Sequence, residues 1–174
     1  VGKSSHGANL LINSNSKEVF KIASELDYFN KERKLLEEDA LQKISKKVLE
    51  QLSDPVLVLS GENWHEGVIG IVASRIKDKF NKPVIIISVE NNVGKASARS
   101  IVGFDIGSII IAAVQSNILI KGGGHKMAGG FSIKTENIEK FKNFIFQKFK
   151  NNVKETSKEK PLYLDCIVAP SAIN

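Results

Sequence analysis

Val56-Leu57-Val58-Leu59, closed by Ser60-Gly61, and Val84-Ile85-Ile86-Ile87-Ser88, introduced by Pro83, bracket a stretch of helical periodicity at residues 66–80. Both runs are apolar at every position and short enough for strands. Such runs are expected of strands buried on both faces, as in a βαβ unit whose crossover helix covers the sheet. Working downstream, residues 95–100 alternate small and polar side chains like a third strand. Residues 106–114 read as a helix, 130–134 as a strand and 138–150 as a further helix. The prediction is an α/β or α+β domain over about residues 55–150.

Upstream, Val19, Ile22, Ala23, Leu26 and Phe29, then Leu35, Leu36, Ala40, Leu41, Ile44, Val48 and Leu52, recur every three or four positions. That spacing predicts a long amphipathic helix or a helix pair. It ends at Asp54-Pro55, where the residue before proline is pushed out of the helical region. At the other end, residues 151–160 are rich in Lys, Asn and Glu and read as a linker ended by Pro161. Residues 162–168 then begin an apolar strand, expected to open a following domain. The expected division is therefore 1–54, 55–150 and 151–174.

The chain has 174 residues, 42% of them hydrophobic, which is enough for a buried core without disulfides or metals. Its single cysteine, Cys166, excludes an intramolecular disulfide framework. No apolar run approaches membrane-spanning length. The sequence opens at Val1 rather than Met and reads as a piece of a longer protein, expected in the cytoplasm. Against 19 Asp and Glu stand 25 Lys and Arg, a net charge of +6, with the excess concentrated between residues 55 and 135. This balance suits a polyanionic partner and equally suits a solvated surface.

Three short stretches can carry chemistry. The first, Asn63-Trp64-His65-Glu66-Gly67-Val68-Ile69-Gly70-Ile71-Val72-Ala73-Ser74-Arg75, passes from a loop into a helix N-terminus, where free backbone N–H groups favour anions. Its glycines let the helix lie close to the sheet. The competing reading makes Trp64 core filler and His65 a helix cap. In the second, Ser97-Ala98-Arg99-Ser100, a strand would point Ser97 and Arg99 to one face, where hydroxyl and guanidinium can converge on a phosphate. A solvated edge strand would look similar. The third, Lys121-Gly122-Gly123-Gly124-His125-Lys126-Met127-Ala128-Gly129-Gly130-Phe131, carries five glycines, which suit a backbone that approaches a ligand or another chain closely. Its N–H groups could hold a phosphate oxygen and His125 could hydrogen-bond it; a flexible turn is the alternative.

Other chemistries fail on spacing. Gly2-Lys3-Ser4 ends like a phosphate-binding loop but shows no preceding strand. His6, His65, His125 and Cys166 are too scattered for a zinc site. The aspartates are likewise dispersed, so no carboxylate cluster is expected to hold a hydrolytic metal pair.

In order and spacing, residues 64–75, 97–100 and 123–131 together resemble the RecJ family of bacterial single-strand-specific 5′ to 3′ DNA exonucleases. The triple-glycine-His motif alone is shared across the wider DHH/DHHA1 phosphoesterase superfamily. The resemblance implies a DHHA1-like mixed sheet flanked by helices, preceded by a long connecting helix containing Asn30-Lys31-Glu32-Arg33. It also implies the last element of a DHH domain at residues 1–12 and the start of an OB-fold domain after Pro161. Manganese or magnesium would be held mainly by the upstream DHH domain, with no metal ligand in this chain. Ser97, Arg99 and Ser100, with Gly122, Gly123, Gly124 and Lys126, would bind substrate phosphate. His125 would be the catalytic group facing the scissile phosphate, and Trp64 and His65 would lie in or under the same cleft. Implied partners are single-stranded DNA, the flanking DHH and OB-fold domains and, as a further candidate, a single-strand-binding protein; no membrane is implied. The expected role is the substrate-gripping part of a DNA repair and recombination exonuclease, inactive by itself. The alternatives are a DHH-family oligonucleotide or cyclic-dinucleotide phosphodiesterase and a non-catalytic nucleic-acid-binding module.

Overall fold

The computed structural model describes residues 4–152 and residue 166. Helix α1 (Ser4–Ile12) is followed by the 35-residue α2 (Ser16–Glu50), so the periodic stretch is one helix rather than a pair. Asn15 caps α2, its side chain accepting the Lys17 N–H at 3.1 Å. The helix stops at Gln51, before Asp54-Pro55. Its buried side chains, Glu37, Ala40, Ile44 and Val48, all fall in its C-terminal half and form one stripe of three- and four-residue spacing.

Strand β1 (Leu57–Glu62), helix α3 (Glu66–Phe80) and β2 (Val84–Glu90) form the βαβ unit, with β1 and β2 parallel. Strands β3 (Val93–Arg99), β4 (Lys121–His125) and β5 (Ala128–Lys134) complete a five-stranded mixed sheet of order β1-β2-β3-β5-β4. Helix α4 (Ile106–Gln115) connects β3 to β4, and α5 (Ile138–Asn152) follows β5. The β2–β3 connection is the two-residue turn Asn91-Asn92, both with positive φ (48° and 62°), the conformation whose twist matches an antiparallel hairpin. No described helix is long and apolar enough to cross a membrane. The expected linker and the strand at residues 162–168 lie outside the described residues, apart from exposed Cys166 and the α5 terminus.

The period-two alternation of the strands divides the core into two layers. Leu57, Leu59, Val84 and Ile86 pack with Val68, Val72 and Ile76 of α3 and with Ala40, Ile44 and Val48 of α2. On the other face, Val58, Ile85, Ile87, Ala98, Phe131 and Ile133 pack under Ile106 and Ile110 of α4 and Phe141 and Ile145 of α5. Helix α3 lies over β2 and β3 and α2 reaches β1, so among the described residues no helix packs extensively on the β5-β4 part of this face.

Candidate nucleic-acid interface

The pairing register lays out that open face row by row. Directly opposed residues of antiparallel strands share a face, so Arg99-Ala128-His125, Ser97-Gly130-Gly123 and Lys95-Ser132-Lys121 form three rows across β3, β5 and β4. Basic or imidazole side chains stand at the four corners, and the middle row is floored by two glycines. Glu66 and Ile69 of α3 form its wall, with Lys95, Ser97, Lys121 and Gly130 lining a shallow concavity of about 650 Å³. Adjacent strands are about 4.8 Å apart, so Arg99 and His125 are separated by about 10 Å of sheet.

Arg99 is half-buried and held in place by neutral groups. Its Nε donates to Ser74 Oγ at 3.1 Å, and Nη1 donates to Ala98 O at 2.8 Å and to Ser97 Oγ at 3.2 Å. No carboxylate pairs with it among the described residues. Helix α3 crosses so close that a Cβ on Gly70 would lie 3.0 Å from Ser97 Oγ and 3.1 Å from Arg99 Nη2. The expectation that a glycine brings this helix against the sheet is met at Gly70. At the other end of the face, Lys95 Nζ pairs with Glu66 at 2.8 Å, a hydrogen bond and charge that raise the lysine pKa above its ordinary value.

The triple glycine is an edge strand rather than a loop, and its members do different work. Gly122 and Gly124 face the α4 layer: a Cβ on Gly122 would meet Phe131 Cβ at 2.6 Å and Ile110 at 2.9 Å, and one on Gly124 would meet Ala128 O and Gly129 Cα. On the side where a Cβ would stand they serve packing, while both remain exposed on the edge strand and Gly122 also lines the concavity. Gly123 alone looks onto the open face, with nothing within 4 Å of its missing Cβ. His125 is exposed at the end of the same strand. Lys126 is exposed in the following turn, whose carbonyls accept from Ile106 N (Lys126 O, 3.2 Å) and Ser100 N (Met127 O, 2.8 Å).

Three other expected site residues have partners of their own. Ser100 is 1% exposed and its hydroxyl donates to Phe104 O at 2.6 Å, which commits it to the loop after β3 and removes it from the open face. Trp64 is 6% exposed in the α2–α3 core layer, its carbonyl accepting from Ser88 Oγ and its ring covering Gly61, where a Cβ would intrude at 2.5 Å. Lys47 Nζ stands 5.5 Å from that ring and donates to Ser60 O. His65 caps α3, with Nδ1 accepting the Gly67 N–H at 3.0 Å, so in the neutral ring the proton is on Nε2. The competing cap-and-core reading therefore describes these two residues. Lys95, Gly130 and Ser74 complete the site; Ser74 and Gly130 fall within the quoted stretches but were given no role, and Lys95 lies outside them. Lys95 precedes Ser97 and Arg99 at the same period of two, whereas Gly130 and Ser74 come from other elements. Among the described residues no group of three His, Cys, Asp or Glu side chains could hold a metal ion.

The domain is mixed α/β, with a sheet face floored by glycines and bordered by a guanidinium that pairs with no carboxylate among the described residues. Residues 53–151 match the DHHA1 domain family, and the chain belongs to that family. It is 34% identical over 136 residues to the single-stranded-DNA-specific exonuclease RecJ of Bacillus subtilis, an alignment covering 75% of this chain and 17% of that protein. With the RecJ of Escherichia coli it shares 36% identity over 148 residues, covering 79% of this chain and 25% of the relative. The chain thus spans a quarter or less of the length of these relatives. The crystal structure of RecJ from Thermus thermophilus in complex with Mn2+ superposes with a TM-score of 0.75 at 27% identity, over 84% of this chain and 22% of that one.

Proposed function

We propose that this chain is the substrate-gripping DHHA1 portion of a metal-dependent 5′ to 3′ single-stranded-DNA exonuclease of DNA repair and recombination, working in the cytoplasm. The observation that carries the reading is Arg99. A guanidinium oriented by Ser74, Ser97 and the Ala98 carbonyl, and paired with no carboxylate among the described residues, is preorganised for an anion that arrives from outside. The glycine floor beside it lets a phosphodiester backbone lie against the sheet, and Lys121 extends the positive rim, Lys95 being paired with Glu66. Phosphate contacts of this kind grip without reading sequence. The similarity to RecJ, whose relatives act on single-stranded DNA, favours a single strand over a cyclic dinucleotide.

In this reading Ser97 and Arg99 hold the 5′-terminal phosphate, and His125, across the face, hydrogen-bonds the scissile phosphate as its oxygens gain charge. Manganese or magnesium belongs to the DHH domain upstream; the described residues offer no ligand set for it, so no step is assigned to a metal here. The flanking DHH and OB-fold domains and a single-strand-binding protein are the proposed partners. The test is binding of a single-stranded oligonucleotide with and without a 5′ phosphate to the full-length protein. Arg99→Ala should remove the preference for the phosphorylated end, a loss of about 1.5–3 kcal/mol. Equal weakening of both oligonucleotides would make Arg99 a general backbone contact and overturn its role as the terminal-phosphate ligand.

A further inference from the structure

Glu37 is the only buried charged residue among those described, and nothing in the phosphate-binding face uses it. Its carboxylate is 2% exposed and is held between two arginines from different helices. Arg33 Nη1, one turn earlier on α2, donates to Oε2 at 2.7 Å; Arg75 Nε of α3 lies 2.6 Å from Oε1, an ion-pair contact outside hydrogen-bond geometry. Arg75 is itself 57% exposed and Arg33 31%, so the two guanidiniums close over the carboxylate from the solvent side.

The position of this cluster along α2 gives it a mechanical meaning. Glu37 is the first buried residue of α2; Ala40, Ile44 and Val48 follow it into the shared core, and no residue of α2 before it is buried. The segment from Ser16 to Leu36 therefore projects beyond the last point at which the helix is anchored, and α1 packs on that projection, with His6 Nε2 3.0 Å from Glu25. At 1.5 Å per residue the projection is about 31 Å long, so a tilt of about 10° at its root moves its tip by about 5 Å. Apolar packing alone tolerates rolling and sliding of a helix; a charge pinned between two guanidiniums at the root does not.

We infer that the Arg33–Glu37–Arg75 cluster is a positioning clamp that fixes the angle of the α2 lever relative to the DHHA1 sheet. Whatever precedes α1 is thereby held at a defined angle to the sheet. That the catalytic DHH domain rides on the lever rests on the function proposed above; the stiffness of the lever does not.

Pulsed electron–electron spin resonance on this chain tests it, with nitroxides at Lys21→Cys on α2 and Lys140→Cys on α5, in a Cys166→Ser background. The unmodified clamp should give one narrow distance distribution. Glu37→Met fills the same space without charge, and replacing a buried ion pair by an apolar residue is often neutral or stabilising, so the melting temperature should hold while the distribution broadens about twofold or more. Arg75→Gln, which keeps a donor facing Oε1 but removes the charge, should broaden it as well. If Glu37→Met fails to fold, Arg75→Gln decides alone. An unchanged distribution in a folded variant overturns the clamp and leaves the nuclease reading intact.

Discussion

Two adjacent glycines of β4 should respond in opposite ways to the same methyl group. A Cβ on Gly124 would stand 2.4 Å from Ala128 O and 2.5 Å from Gly129 Cα, both backbone atoms of the paired strand β5. Neither can rotate away, so relief requires β4 and β5 to part by about 1 Å at the end of the sheet that carries His125. Overpacking of this kind costs about 1–3 kcal/mol, and backbone contacts put Gly124→Ala in the upper part of that range. At about 2–4 °C per kcal/mol for a domain of this size, its melting temperature should fall by about 4–12 °C. Gly123→Ala meets nothing within 4 Å and needs no positive φ. It should leave stability unchanged or raise it by about 0.4–1 kcal/mol, because alanine narrows the unfolded ensemble. Since its methyl group would stand on the open face beside Gly130, it should nevertheless weaken binding of a 5′-phosphorylated single strand. Thermal melts of the two variants, with fluorescence-anisotropy titrations on the same preparations, read both effects. Gly123→Ala melting as low as Gly124→Ala would refute the division of the triple glycine into a packing side and an open side.

Further outcomes are open to measurement. In the full-length protein His125→Ala should depress single-turnover rates at saturating DNA by about 100- to 1,000-fold while leaving the melting temperature intact; a normal rate would remove it from catalysis. The chain by itself, with manganese added, should release no nucleotides from a 5′-phosphorylated single strand, and chelator-sensitive release would place a metal site within it. Asp105 caps α4, and the Ser108 backbone N–H it accepts, with a smaller contribution from the Lys126 charge, lowers its carboxyl pKa. A depressed folded-state pKa means a contribution present above the unfolded value and lost as pH falls through the folded one. The deficit of Asp105→Ala, about 0.5–2 kcal/mol at neutral pH, should therefore shrink below about pH 4 in urea titrations.

The βαβ core was legible because its signals are local. Val56 to Leu59 and Val84 to Ile87 are apolar at every position, and the intervening helix has its own period. Strand β4 was not, since glycine is a poor strand former and three in succession carry no strand signal. What makes Lys121–His125 a strand is pairing with β5 and the close approach of α4, where a Cβ on Gly107 would meet His125 O at 2.8 Å; neither can be seen without the fold. The Asn91-Asn92 hairpin signal was present in the sequence, but in a form without the glycine that usually announces it.

The same rule that placed Ser97 beside Arg99 should have excluded Ser100. Neighbours along a strand point to opposite faces, so a residue adjacent to Arg99 is directed away from the anion, and Ser100 is found buried against Phe104. The rule reaches no further than one strand. That His125 shares a row with Arg99, and Lys121 with Lys95, depends on the register through β5, which the chain sets by turn lengths and by which glycines can face α4. Glu37 marks the limit in the other direction. In a Lys/Glu-rich stretch its side chain is indistinguishable from solvated neighbours such as Glu38, and only the arrival of Arg75 from α3 turns it into a buried charge. Local pattern thus reaches the chemistry within single elements, while the geometry that makes a site of them comes from contacts between elements distant in the chain.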